Sequence, residues 1–238
     1  MSDSEHMHWD HRDGQVAAIA AAVVYCAWAL EILFPEGGTA PGALARPGSD
    51  FGHFLASAHR MASILVLVAV VLGFAMGRSR QSRRLVVSWC SAAVFGAASL
   101  VASLLPGRCV VAIDAACAAE TLVEGVEGAT AAQAVTAVVA ILAGVVAAVF
   151  LAGDRRRAGD RAWPLVAAVA AFQAVTAAAV LALAAWNLWG PGAAEPGVAL
   201  GLLERAHLVA VSLWLLIAGL LPRLWRRTDT GRRAALNR

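Results

Sequence analysis

Six charged or imidazole side chains sit inside otherwise apolar runs: Glu31, His59, Arg60, Glu204, Arg205 and His207. Charge within a membrane-length apolar run is expensive and usually has a partner or a purpose. Glu204 and His207 are three positions apart, so on a helix they share a face, as do His59 and Ser63. Arg205 points elsewhere, about 100° around the helix. A Glu/His pair suits general acid–base work on a lipid or isoprenoid headgroup, with Glu31, His59, Glu204 and His207 as the acting groups. His59 and His207 could instead be axial ligands to a haem held between two helices. A third reading is a non-catalytic pocket for a lipid headgroup or a small solute, with no cofactor. In a fourth, Glu31, Arg60, Glu204 and Arg205 only form ion pairs that lock helices together near the headgroups, their long side chains snorkelling. Gln133 and Thr136 open one apolar run and Asn187 closes another; Gln173 and Thr176 are a polar pair deep in a third.

The elements that must position these residues are membrane helices. The chain of 238 residues is 60% hydrophobic, where a soluble domain is nearer half. The periodicity predicts six helices over about 15–34, 54–76, 85–105, 131–152, 163–189 and 200–221, each about the length that crosses a ~30 Å hydrocarbon core. Pro35, Pro106 and Gly107 stop the first and third. The fold class is therefore all-α: a polytopic six-transmembrane-helix bundle in one domain, about 14–227, between tails 1–13 and 228–238 expected to be disordered. The His6, His8 and His11 spacing in the first tail is read as part of that disorder and not as a metal site.

Orientation comes from arginine. Clusters at Arg78–Arg84, Arg155–Arg161 and Arg223–Arg227 follow or separate the apolar runs, and arginine in short loops marks the cytoplasmic side. Both termini are then cytoplasmic (N-in/C-in) in the cell's inner membrane, and the segments 35–53, 106–130 and 190–199 lie outside. Trp163, Trp186, Trp189 and Trp225 fall near span ends, where an aromatic belt belongs. This topology puts the polar list above toward the outer leaflet, in a pocket expected to open outward. The basic clusters serve topology and anionic lipid, and no nucleic-acid partner is expected. Partners are membrane lipids, a membrane protein or a second copy of the chain. Every basic residue other than histidine is Arg, with none Lys, and Ala is abundant, which suggests a GC-rich genome such as an actinobacterial one.

Four cysteines divide by location. Cys26 and Cys90 lie within spans and are expected to be small buried apolar residues. Cys109 and Cys117, separated by seven residues in an outside loop, face an oxidising compartment and are expected to form a disulfide. No nucleophile elbow, HExxH or repeated Asp-rich motif is present.

Three short stretches resemble the domain-of-unknown-function 998 family of six-helix bacterial and archaeal membrane proteins. One is Pro35, Ala43-Leu44-Ala45-Arg46-Pro47-Gly48 and His59-Arg60. The second is Leu105-Pro106-Gly107-Arg108-Cys109 with Asp114-Ala115-Ala116-Cys117. The third is Gly201-Leu202-Leu203-Glu204-Arg205, followed by Trp214 and Arg223. Many family members carry a His where helix four opens; here Thr130-Ala131-Ala132-Gln133 stands. The resemblance implies the fold and topology above and brings no activity. The sequence thus reads as a non-enzymatic lipid- or partner-binding bundle with an outward-facing polar pocket, the acid–base enzyme or haem protein being the alternatives.

Overall fold

Six continuous apolar segments become helices because a backbone in lipid must satisfy its own N–H and C=O groups. The computed structural model describes residues 11–33, 48–77, 82–106, 109–111, 113–114, 117–118, 121, 127–189 and 198–221. Its long helices are α1 (His11–Tyr25), α2 (Asp50–Gly77), α3 (Arg83–Leu104), α4 (Ala129–Arg157), α5 (Trp163–Trp189) and α6 (Val198–Leu220). A 3₁₀ segment, Cys26–Leu33, extends α1. All six spans are long and apolar enough to cross a membrane, and no strand occurs among the described residues. Large apolar side chains such as Val16, Val71, Val175 and Leu202 cover the outside, as lipid contact requires.

Local chemistry sets the ends. Ser82 caps α3, its hydroxyl accepting from the Leu85 N–H at 3.1 Å. Leu105 takes an extended conformation, as the residue before a proline prefers, and α3 stops there. Gly128 (φ 75°) turns the chain into α4, and Gly159 (φ 64°) turns it out, a left-handed conformation that Gly adopts without steric cost.

Each helix packs mainly against its two sequence neighbours, and α6 returns to α1, so the six close into a ring in chain order. Small residues make the seams. A side chain at Gly219 would meet the Gln15 carbonyl at 3.1 Å and the Ile19 side chain at 2.7 Å, so α1 and α6 approach backbone to side chain. Ala17, Ala18, Ala21 and Ala22 are buried on the inner face of α1.

The two ends of the ring differ. At the arginine end, α4 runs past the predicted boundary to Arg157. Asp154 and Arg155, read from sequence as loop residues, are buried: Arg155 binds Asp154 at 2.6 Å and Asp160 at 3.5 Å, and Ser82 hydrogen-bonds to Asp154. Arg84 donates to the Gly153 carbonyl at 3.2 Å, and Arg156 lies over the Trp163 ring. At the other end, Cys109 and Cys117 are joined by a disulfide. Val111 and Ile113 of that loop turn back into the main core. The two remaining cysteines correct the sequence reading: Cys26 and Cys90 are exposed on the outside of the ring, where a thiol among hydrocarbon chains is as well placed as a small apolar residue.

Candidate functional site

The half of the ring nearer the disulfide has a polar centre. His59, in the third turn of α2, is 0% exposed, Gln173 of α5 0%, His207 of α6 2% and Glu204 6%. These side chains are buried within the bundle. The ring closes around these groups, and His59, Gln173 and His207 sit on the interior faces of three helices. The sequence pattern shows why: Gly201, Glu204, His207, Leu208, Val211 and Trp214 recur at helical spacing and all are buried.

One wall is a hydroxyl triad across three helices. Tyr25 of α1 contacts Ser99 of α3 at 3.0 Å and Ser63 of α2 at 3.4 Å, and Ser63 contacts Ser99 at 2.9 Å. Ser63 also donates to the His59 carbonyl at 2.8 Å. The Tyr25 ring meets the His59 ring edge-on at 5.1 Å. The floor is aromatic: Phe95 lies 5.7 Å from Tyr25 and 5.8 Å from Trp214, centroid to centroid. A Cβ on Gly144 would meet Gln173 Nε2 at 3.0 Å and Phe95 Cδ2 at 3.1 Å, so the glycine of α4 makes room for both. Beyond this floor the buried residues toward the arginine end are chiefly apolar: Val66, Trp89, Leu151, Val166, Ala170, Leu215 and Ala218.

His207 meets the described residues through one ring nitrogen. Thr176 lends its single hydroxyl proton to its own helix, 2.9 Å from the Phe172 carbonyl and 3.1 Å from that of Gln173. Its oxygen also lies 3.4 Å from His207 Nδ1, a contact in which either atom can be the donor. Nε2 is the other nitrogen of that ring. No described group bonds to that Nε2, to either nitrogen of His59, to either end of the Gln173 amide or to Trp214 Nε1. Buried polar groups in native proteins are overwhelmingly hydrogen-bonded, and each exception calls for an explanation. Among the described residues His59, Gln173, His207 and Trp214 supply such exceptions, as do Trp28, Trp89, Arg155 and Ser212.

The other sequence-derived residues fall elsewhere. Gln133 is buried but structural: Nε2 donates to the Ala102 and Cys109 carbonyls at 3.1 Å each, and Oε1 accepts from the Cys109 N–H at 3.4 Å. It pins the disulfide loop to the end of α3. Arg60 is exposed and donates to the Ser103 carbonyl at 2.9 Å. Arg205 donates to the Gly201 carbonyl at 3.1 Å. Glu31 lies in the 3₁₀ segment and Asn187 in α5, and their side chains lie outside the described residues, as does the full set of ion pairs expected with Glu31. Tyr25, Phe95 and Ser99 are not conspicuous in the sequence, because an aromatic or a serine in an Ala-rich span carries no signal until its partners are known. Among the described residues no group of three or more His, Cys, Asp or Glu is placed to hold a metal ion.

Comparison with models of known families gives no match. Comparison with curated proteins and with solved structures gives none either.

Proposed function

We propose that this membrane protein is a binding protein, and that the polar centre between His59, Gln173 and His207 holds a small ligand, a lipid headgroup or a small solute. The observation that supports the reading is the set of buried, unpartnered nitrogen and oxygen atoms on α2, α5 and α6. Leaving one such group unsatisfied costs about 1–3 kcal/mol, and a ligand that meets several recovers that cost. The apolar floor argues for holding rather than conducting.

In this reading the disulfide end faces outward and the arginine end faces the cytoplasm, so both termini are cytoplasmic. Arginine bias in the short loops supports that orientation, and Trp163 at the arginine end is exposed as an interfacial residue would be. The resemblance to the domain-of-unknown-function 998 family belongs to the same proposal. The expected pairing of Glu31 and Glu204 with Arg60 and Arg205 stands beside it as a way of holding the outer ends.

The test is native mass spectrometry of protein released from lipid nanodiscs. A small-molecule adduct is expected on the wild type and is expected to be lost in His59→Leu when that variant keeps its helical circular dichroism. Identical adduct patterns in the two proteins would overturn the reading. Acid–base catalysis is the second reading, favoured by one observation: Glu204 and His207 are buried one turn apart on the same face. It requires turnover of a lipid panel that disappears in Glu204→Gln.

A further inference from the structure

We infer that the corner where α3, α4 and α5 meet at the arginine end binds the headgroup of an anionic phospholipid; the inference is independent of the polar centre. Charge asymmetry along the chain is the first support. Segments 1–13, 77–84, 153–162 and 222–238, which adjoin the helix termini of that end, hold fifteen arginines and seven carboxylates. Segments 35–53, 106–130 and 190–199, at the other end, hold Arg46 and Arg108 against seven carboxylates. Contacts tie the three helices into one corner. Ser82, at the start of α3, hydrogen-bonds to Asp154 in the last turn of α4, and Arg84 donates to the Gly153 carbonyl at 3.2 Å. Trp163, which opens α5, donates its N–H to the Asp160 carbonyl at 3.0 Å, and the Arg156 guanidinium lies 5.5 Å from its ring centroid.

The second support is how the corner spends its carboxylates. Asp154 and Asp160 both pair with the buried Arg155. They are neutralised from within, and the exposed Arg83, Arg156, Arg157 and Arg161 form no ion pair among the described residues. Arg83 and Arg84 also stand in the first turn of α3, where the helix dipole disfavours a cation, and no acidic residue offsets them there. The contact with Trp163 holds the Arg156 guanidinium by its face without consuming its N–H donors, which suit two oxygens of one phosphate. What continues the surface separates a lipid from a free anion. Trp163 is 37% exposed and Leu165, two residues on, is 59% exposed. Phosphate donors followed by an interfacial indole and then a bare aliphatic side chain match the order of headgroup, interface and acyl chain.

The test titrates the full chain, in nonionic detergent, with dioctanoyl phosphatidylglycerol and with dioctanoyl phosphatidylcholine, and counts bound lipid by native mass spectrometry. The phosphatidylglycerol is expected to bind at least about tenfold more tightly. Arg156→Gln should weaken it about fivefold, the factor that corresponds to about 1 kcal/mol for one basic residue at an anionic surface. Trp163→Leu keeps every charge and should weaken it several-fold by releasing Arg156. Arg60→Gln, at the opposite end, removes the same charge and should change nothing. Equal affinity for the two lipids, equal losses in Arg60→Gln and Arg156→Gln, or full binding in Trp163→Leu overturns the inference. Displacement of the lipid by inorganic phosphate at the same concentration would assign the corner to a free anion and overturn it as well. None of these outcomes bears on the polar centre, whose reading stands or falls with His59→Leu.

Discussion

At the scale of single residues, the hydroxyl triad carries a definite expectation. Tyr25→Phe removes one hydroxyl and leaves Ser63 and Ser99 bonded to each other. The cost should be about 0.5–1.5 kcal/mol, toward the lower end because interhelical hydrogen bonds in bilayers average about 0.6 kcal/mol. Reversible unfolding in mixed micelles would measure it, and an unchanged midpoint would deny the triad any role in joining α1, α2 and α3. Gln133 is more demanding, since its amide meets three backbone groups across two segments. Gln133→Leu strands them, so the Cys109–Cys117 disulfide should be reduced several-fold faster by a membrane-impermeant phosphine. An unaltered reduction rate would show that the clamp does not hold the loop. His59, Gln173, Thr176, Glu204 and His207 were legible in the sequence because polarity inside an apolar run is conspicuous. Their enclosure was not, since burial within a ring depends on which face of each helix turns inward, and Ala-rich helices have little facial contrast to reveal it.

Among the elements, the α1–α6 seam and the arginine-end latch bear the clearest loads. Gly219→Val forces new methyl groups against the Gln15 carbonyl and Ile19, and the backbone carbonyl cannot rotate aside as a side chain can. Overpacking of this kind costs typically about 1–3 kcal/mol, and the variant should lose thermal stability. At the latch, Asp154→Asn leaves the buried Arg155 with only the longer contact to Asp160. Breaking a buried pair costs about 3–5 kcal/mol, whereas removing the exposed Arg157 should cost little. Equal melting temperatures for Asp154→Asn and Arg157→Ala would refute the latch. All six spans were readable from apolar length and from Pro and Gly punctuation. The switch of α1 to 3₁₀ geometry after Tyr25 was not, nor was the continuation of α4 through Asp154 and Arg155. Arginine after an apolar run marks the membrane face whether or not the helix goes on, so charge alone cannot place the last turn.

For the whole molecule, ring closure follows from contacts between α1 and α6, which lie at opposite ends of the chain; no local pattern encodes it. Orientation in the membrane is testable without purification. In a background with Cys26 and Cys90 replaced by serine, Glu127→Cys should react with an impermeant maleimide in intact cells and Arg157→Cys only after lysis. The reverse pattern would invert the topology and with it the side from which the polar centre is reached. That centre is the claim on which the functional reading depends, and an experimental density map in lipid nanodiscs tests it most directly. Density from a bound small molecule is expected within hydrogen-bond reach of His207 Nε2 and of at least one nitrogen of His59. A map in which those atoms meet only each other, other protein groups or water would contradict it.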